Sequence, residues 1–430
     1  MKKGIVVGGG LAGLSASAFL ADKGFRIELI EAAPKLGGRA YSFEDENFGC
    51  ELDNGQHIMM GCYKSALEFM KLIGAYDNLS VQKNLSITFV GASGAEYKLE
   101  SSWLPYPFNL LSAILNYKAL SFRDRLNVVL FFAKFPFISG GSVQQFSVAE
   151  WLKNENQNDE IVKALWELIS VSALNTNINK ANAKMFLDIL KKIFLRGNSS
   201  TLIVTPEYGL SKTYCQNASD FIQSKNGAVS VSEKVTEIKI ENNSAAEVIT
   251  NRRRITDFDF VISAAPLFAA EKFLPNIKEY ISSYPALEYS SILSVHLKII
   301  NNPLKEKFYA LIGSPVHWVF NHSDYITIVI SDADLLIKNS NEDIISMVKG
   351  ELKKYLKIET DTVTNSRIIK EKRATFIPSR EIINTRPGYK TKLNNFFIAG
   401  DWTNTHLPST IESAVASGKY ISNYLVLKYS

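Results

Sequence analysis

Apolar and polar positions along the chain change period several times, and the changes mark out its elements. Residues 3–31 read as strand, helix and strand: an apolar run, a stretch of small and apolar side chains at helical spacing, then a second apolar run. A helix is predicted over 64–73 and short strands over 86–90 and 96–99. From 103 to 195 the pattern is helical, with long apolar faces and few strand signals. Within it, Ser147-Val148-Ala149-Glu150 has the form of a capping box that opens a helix. A strand over 202–204 and a helix over 209–222 follow. Residues 235–240 and 246–249 alternate as the arms of a hairpin, with Asn242-Asn243 at its turn. Residues 258–265 read as a buried strand stopped by Pro266. Strands over 289–300, 316–320 and 325–330 and a helix over 342–356 suggest a mixed layer. Residues 395–401 form a last strand that turns into a helix over 410–427. No repeat and no low-complexity tract interrupts this order.

A chain of 430 residues exceeds one simple core, so two domains are expected. With 46% hydrophobic and 21% charged residues, the composition is that of an ordinary globular protein. A net charge of +5 argues for no nucleic-acid partner, and a solvated basic surface accounts for it. The three cysteines, Cys50, Cys62 and Cys215, form no C-x-x-C pair, which supports neither a disulfide framework nor a zinc cluster and fits a reducing compartment. Met1-Lys2-Lys3, the apolar run and Ala16-Ser17-Ala18 meet the loose pattern of a signal peptide, but cleavage there would destroy the glycine motif described next. No stretch reaches the length of a membrane span; the nearest, 128–138, is short and interrupted by Lys134. A cytoplasmic location is therefore expected. His317 and His322 lack partners at ligand spacing, so no metal is expected.

The candidate chemistry begins at the first strand–helix junction, Gly8-Gly9-Gly10-Leu11-Ala12-Gly13. Gly8 allows a tight turn, Gly10 lets the backbone approach a pyrophosphate, and Gly13 lets helix and strand pack closely. The pyrophosphate would sit at the positive end of the helix. Glu31, eighteen residues beyond Gly13, ends the second strand and is placed to accept a hydrogen bond from a ribose hydroxyl. Strand, glycine loop, helix and acidic residue together indicate an adenine dinucleotide site.

Other segments carry a resemblance. The glycine loop, Gly37-Gly38-Arg39 and Ala399-Gly400-Asp401-Trp402 resemble the FAD-dependent amine oxidase and phytoene desaturase superfamily. More selective stretches are Leu52-Asp53-Asn54-Gly55-Gln56-His57 with Gly61-Cys62-Tyr63, Ala173-Leu174-Asn175-Thr176, His317-Trp318-Val319-Phe320, Arg373-Ala374-Thr375-Phe376, and the run from Gly400 through Pro408 to Glu412. Together these resemble the squalene-associated FAD-dependent desaturases, better described as hydroxysqualene dehydroxylases. The resemblance spans nearly the whole chain. It implies an α/β fold: a Rossmann-like FAD-binding domain of glutathione-reductase type from residues 1–80, 200–270 and 370–430, and an inserted α+β substrate domain from 81–199 and 271–369.

The resemblance also implies roles. Gly8, Gly10, Leu11, Ala12, Gly13, Gly37, Gly38 and Arg39 would surround the pyrophosphate, and Glu31 would hold the adenosine ribose. Val235 would offer backbone bonds to adenine. Gly55, Gln56 and His57 would run beside the isoalloxazine. Gly400 and Asp401 would meet the ribitol or phosphate, and Thr410 and Ile411 the O2 edge of the flavin. A helix start at that edge agrees with physics, because reduced flavin carries negative charge near N1 and O2. No cysteine lies in the C-terminal segment, so FAD is expected to be non-covalent. Amine oxidases of the superfamily carry an aromatic residue before the proline near the last helix. Here Leu407 stands there, which disfavours an amine.

The implied activity is reduction of hydroxysqualene to squalene, by hydride transfer from reduced FAD after loss of water. It requires a dry apolar tunnel, one proton donor and a fixed flavin face. His57 and His406 are the candidate donors, with a flavin-bound water as the alternative; either histidine can instead be a hydrogen-bonded structural residue, as Asp53 can simply orient its turn. Trp318 and Phe320, alternating on a strand, are core or cavity lining. A long isoprenoid is the expected partner, and it dissolves in bilayers. Peripheral contact with the cytoplasmic membrane face is therefore expected through residues 103–137, where Lys118, Arg123, Arg125 and Lys134 stand among apolar side chains. No second nucleotide fingerprint identifies an electron donor. Three alternatives stay open: a carotenoid-type desaturase running the flavin in the opposite direction, an amine oxidase, and a non-catalytic lipid carrier on the same fold.

Overall fold

The computed structural model describes residues 1–429. Its organising element is a five-stranded parallel sheet in the order Ala228–Ser230, Arg26–Ile30, Lys3–Val7, Phe260–Ser263, Phe396–Ile398. The strands are short and nearly all apolar because both faces are covered, as a parallel sheet requires. The helices Leu11–Asp22 and Ile411–Tyr429 cover one face, where Leu14, Leu29, Ile262, Val415 and Ile421 share a core. The hairpin Val235–Glu241/Ser244–Thr250 and helix Leu267–Phe273 cover the other, where Val235, Val248, Ile398 and Trp402 meet. Both ends of the chain thus contribute to one sheet and one helical layer.

A seven-stranded mixed sheet forms the second layer system. Its order is Val363–Phe376, Tyr289–Ile299, Tyr325–Ile330, Trp318–Asn321, Phe308–Leu311, Ser86–Val90, Glu96–Glu100. Along Tyr289–Ile299, the strand next to its edge, Leu293, Val295 and Leu297 pack on helix Asn341–Leu356. The alternate positions Ser290, Ser294 and His296 are buried polar residues on the opposite face. The predicted helical stretch is helical, from Phe108–Asn116 to Ala183–Phe194. Its centre is an aromatic cluster in which Phe131, Trp151, Trp166 and Phe186 are fully buried.

Local signals were read well by patterning. Ser147 and Glu150 make both bonds of the capping box. Asn242 and Asn243 take φ of 49° and 59°, the two positive values that a two-residue hairpin turn demands. Eight strands of the described residues escape patterning: Ser42–Asp45, Cys50–Asp53, Met59–Met60, Leu79–Val81, Ala228–Ser230, Arg254–Ile255, Phe308–Leu311 and Val363–Phe376. The last is rich in lysine and arginine, half-exposed along its length, and paired with Tyr289–Ile299. It runs through residue 370, so the larger sheet continues to Phe376. Among the described residues no helix is long and apolar enough to cross a membrane.

The first and last helices touch through small residues. A Cβ on Gly418 would lie 2.7 Å from the Ala12 carbonyl oxygen, 2.7 Å from the Ala16 amide nitrogen and 2.3 Å from Ser15 Oγ. Ser422 Oγ also donates to the Ala16 carbonyl at 3.1 Å. Two of the three atoms facing Gly418 are backbone and cannot rotate away. Gly418→Ala would gain about 1 kcal/mol of helix propensity, yet overpacking against backbone costs roughly 1–3 kcal/mol. The expected result is net destabilisation, larger for Gly418→Val, in denaturant unfolding. An unchanged midpoint for Gly418→Val would refute this account of the contact.

Candidate cofactor site and active site

The glycine loop divides into residues that packing requires and one that it does not. Gly8 has φ +112°, donates to the Ile30 carbonyl at 2.8 Å, and a Cβ there would lie 3.1 Å from the Ala264 carbonyl. A Cβ on Gly13 would fall 1.8 Å from the Gly8 oxygen. Gly10 differs, since a Cβ there would meet only the Gly38 Cα, at 3.8 Å. Gly10 precedes helix Leu11–Asp22 without a side-chain cap, and no acidic residue stands in the first turn. Leu11, Ala12 and Gly13 therefore present an uncapped, positive helix end beside an open backbone face, which fits a pyrophosphate. Gly37, φ +108°, donates to the Gly9 carbonyl at 2.9 Å, and Gly38, φ +63°, crosses over Gly10.

Glu31 accepts from the Gly9 amide at 2.5 Å and the Ala33 amide at 2.7 Å. It ties the glycine loop down, and each oxygen keeps a second lone pair for a hydroxyl. Glu233 and Ser232 donate their amides to the Glu31 and Ala33 carbonyls at 2.9 Å each, which brings the strand that opens at Val235 alongside.

Arg39 and Asp401 meet directly. Arg39 Nη2 lies 2.5 Å from Asp401 Oδ1, with the carboxylate buried and the guanidinium 37% exposed. Arg39 Nη1 donates to the Ala374 carbonyl at 2.7 Å. Asn54 fixes the backbone on either side, donating to the Arg39 carbonyl at 2.9 Å and accepting from the Tyr41 amide at 3.1 Å. Burial pushes the Asp401 carboxyl up, but the charge and hydrogen bond of Arg39, with the Ser409 hydroxyl, outweigh it and hold it below the usual carboxylate range.

Two residues that organise this region went unassigned in the sequence. Arg386, buried, donates to the carbonyls of Leu407 (2.7 Å), Asp401 (2.8 Å) and Thr403 and to Thr405 Oγ1 (3.0 Å). Burial lowers it to about 10, so it stays charged at neutral pH and gathers the loop after Gly400. No local pattern marks it. Glu412 accepts from the Ser65 and Ala66 amides at 3.0 and 2.8 Å, capping helix Lys64–Leu72, which has no cap of its own. Thr410 caps the C-terminal helix by accepting from the Ser413 amide at 3.2 Å, and Ile411 begins that helix. Gly400 donates to Ser417 Oγ at 2.8 Å.

His57 is ringed by protein yet keeps some accessible surface. Burial, then the charge of Arg39, lowers it to about 4. Gly55 is buried under the larger sheet, where a Cβ would lie 2.8 Å from Ser294 Oγ, and Gln56 is half-buried beside it. His406 is exposed, with φ +56°. Partial burial and the charges of Lys184, Arg386 and Lys192 lower its pKa. Asp53 Oδ1 accepts from Ser42 Oγ at 2.7 Å and the Leu210 amide at 2.8 Å, which orients its hairpin, and burial raises it to about 6. Cys62 is pushed up by burial to about 12, and Tyr63 is raised as well, so neither ionises at neutral pH. Among the described residues no group of three His, Cys, Asp or Glu side chains is arranged to hold a metal.

Beyond His57 the surroundings turn apolar. Ile58 and Met60 join Trp318, Phe320, Phe308 and Leu110 in one cluster. The Trp318 indole N–H is spent on Ser172 Oγ at 2.5 Å, and its ring stacks on Phe320 with centroids 6.4 Å apart. The cluster continues into a cavity of about 30 Å³ with no polar lining, between Leu110, Phe132, Trp166 and Phe194. Outside it, helices Phe108–Asn116 and Phe122–Lys134 expose Phe108, Phe122 and Leu130, flanked by Trp103 (91% exposed) and Phe137 (87%).

The pattern of the family described as flavin containing amine oxidoreductase matches residues 11–426. A hydroxysqualene dehydroxylase of Zymomonas mobilis is 26% identical over 428 residues, covering 99% of both chains. A 15-cis-phytoene desaturase of Arabidopsis thaliana is 23% identical over 462 residues, covering 99% of this chain and 80% of that one. The crystal structure of an oxidoreductase from Methanosarcina mazei superposes with a TM-score of 0.75 at 16% identity, covering 98% of this chain and 100% of that one; that likeness is one of fold.

His57, His296, His317 and His322 are each held near 4, chiefly by burial. Their ordinary value is near 6.5. The folded chain keeps them neutral while the unfolded chain protonates, so their contribution to stability is complete above about pH 6.5 and is lost as pH falls toward 4. Each can contribute up to about 1.4 kcal/mol per pH unit in that window. Denaturant unfolding from pH 6.5 to 4.5 is expected to show a steep loss of stability, with a shallower slope in His322→Gln. Equal slopes in the two proteins would remove His322 from the account.

Proposed function

We propose that this chain, which belongs to the flavin containing amine oxidoreductase family, is an FAD-dependent oxidoreductase that converts hydroxysqualene to squalene. The observation that carries the reading is the apolar cluster that begins at Ile58, next to His57 in the chain, joins Met60, Trp318 and Phe320, and includes Leu110 of the helix that exposes Phe108. The cavity of about 30 Å³ beside it is water-sized, so a long hydrocarbon would enter by parting these side chains. Full-length similarity to a protein named hydroxysqualene dehydroxylase supports the choice of substrate.

The residues fit non-covalent FAD. Gly10, Leu11, Ala12, Gly13 and Arg39 would hold the pyrophosphate, Glu31 the ribose and Val235 the adenine. Gly400 and Asp401 would hold the ribitol, with Thr410 and Ile411 at the pyrimidine edge and Gly55, Gln56 and His57 beside the ring. When bound in its reduced form, FAD supplies a hydride equivalent. The balanced change is an allylic alcohol plus a proton plus hydride, giving hydrocarbon plus water. His57 would assist departure of the hydroxyl as a neutral N–H donor. Burial holds its acid form near 4, so the ring is neutral at pH 7. His406, exposed, would serve as the route to solvent protons. Ile58, Met60, Trp318 and Phe320 would exclude water from the reacting carbon.

The exposed face would meet a membrane surface. Phe108, Phe122, Leu130 and Phe137 supply apolar area, and Lys118, Arg123, Arg125 and Lys134 supply positive charge for anionic lipid. A desaturase reading shares the same apolar cluster and differs only in the direction of electron flow.

Purified protein, reduced anaerobically and given hydroxysqualene, is expected to yield squalene by mass spectrometry. His57→Ala, which removes the N–H donor, should slow this step about 10-fold, the worth of one lost hydrogen bond, while flavin absorbance is retained. Conversion of phytoene by the oxidised protein, with no squalene from the reduced one, would establish the desaturase instead. In flotation, vesicles containing anionic lipid are expected to carry the protein. The triple variant Phe122→Ser, Leu130→Ser, Phe137→Ser should stay behind. Wild-type protein that never floats would refute the membrane contact.

A further inference from the structure

We infer that Asn175, in the helical layer and outside the set of cofactor residues, is a positioning residue for Arg39, acting through a bulge in the larger sheet. The inference rests on the reading that Arg39 faces the FAD pyrophosphate.

Asn175 ends helix Glu167–Leu174 in the left-handed conformation, φ 47°, ψ 40°, which asparagine tolerates better than most residues. It is buried, at 3% exposure, so each of its amide atoms needs a partner. Nδ2 donates to Thr375 Oγ1 at 2.9 Å and lies 3.5 Å from the carbonyls of both Ser290 and Ser291. Oδ1 accepts from the Asp332 amide at 2.9 Å. One side chain therefore joins three separate segments.

The junction falls where two strands lose register. Ser290 pairs with Thr375, but the next pair is Ile292 with Glu371. Residues 372–374 thus stand opposite Ser291 alone. A bulge leaves backbone groups outside the ladder and re-aims them. Here the Lys372 carbonyl takes the Ser291 hydroxyl at 3.3 Å, and the Ser291 amide turns to Asp334 Oδ1 at 2.8 Å. The Ala374 carbonyl points across to Arg39 Nη1 at 2.7 Å. Arg39 is consequently held from two sides, by the Asp401 carboxylate and by a carbonyl whose direction the bulge sets. Asn175 pins the residue next to that carbonyl and the two carbonyls of the opposing strand.

A merely structural cap would affect stability alone. A positioning role must also reach the cofactor through Arg39. Thr375→Val removes the Oγ1 acceptor and keeps a β-branched shape suited to the strand. Asn175→Asp removes the donor and keeps the acceptor and the left-handed preference. Thr375→Ser restores the hydroxyl. Purified apoprotein is titrated with FAD, following flavin fluorescence, and the midpoint potential of the bound flavin is recorded; urea unfolding of each apoprotein checks the fold.

Thr375→Val and Asn175→Asp are expected to weaken FAD binding about 10-fold. They should also shift the flavin potential in the same direction as Arg39→Met, while Thr375→Ser behaves like the wild type. In the Arg39→Met background, Thr375→Val should add no further loss. If Thr375→Val leaves affinity and potential unchanged while Arg39→Met weakens binding, the positioning role is wrong and the cofactor reading stands. If Arg39→Met itself leaves FAD binding unchanged, the placement of Arg39 at the pyrophosphate falls, and this inference with it.

Discussion

A buried carboxylate at residue 401 is met by the half-exposed guanidinium of residue 39, and most of the architecture around the site answers to that constraint. Burying a carboxylate costs several kcal/mol unless a partner of opposite charge and further donors meet it. Asp401 has Arg39 at 2.5 Å and the Ser409 hydroxyl, and its acid form is suppressed despite burial. Arg39 in turn needs its remaining N–H groups directed, and the Ala374 carbonyl from the larger sheet takes one. Three distant parts of the chain must therefore arrive together before the charges are satisfied. The close crossing of the first and last helices at Gly418 is one device that brings them together.

Arg386 solves a related problem for the loop that carries Asp401. A loop packed between a sheet and a helix cannot leave its carbonyls unpaired. Three of them, and a threonine hydroxyl, converge on one guanidinium, whose fixed fork suits several acceptors at once. Burial depresses this group only to about 10 because the charge of Asp401 offsets part of the lost hydration. The loop is held as one unit with Ser417 and Thr410, so the start of the last helix and the carboxylate of Asp401 cannot move independently.

What the sequence revealed and what it hid separate along the same line. The capping box at Ser147, the Asn242-Asn243 turn and the glycine loop were legible because each is specified by residues within a few positions of one another. Gly8, assigned a tight turn, has φ +112°, and Gly13, assigned close packing, has no room for a Cβ beside the Gly8 oxygen; Leu407 has its carbonyl held by Arg386. Arg386 and the role of Glu412 were hidden, since their partners lie at least fifteen residues away and no spacing encodes them. The strand Val363–Phe376 was hidden for a different reason. Half-exposed on both faces and bulged at residues 372–374, it has neither the apolar run of a buried strand nor clean alternation. The bulge that obscures the strand in sequence is what turns the Ala374 carbonyl toward Arg39.

The division between a charged cofactor side and an apolar substrate side also bears on which molecule enters. Trp318 could have offered an N–H to a polar substrate, but Ser172 takes it, so only aromatic faces are presented. The cavity beyond is lined by Leu, Ile, Ala, Phe and Trp side chains alone. An ammonium drawn along these residues would lose its hydration and find no carboxylate among them, a cost of several kcal/mol without compensation. A hydrocarbon meets no such barrier, and roughly 25 cal/mol for each Å² it removes from water favours its entry. Under the proposed reading His57, held neutral by burial and followed in the chain by the apolar Ile58, would meet the one polar group that such a molecule carries.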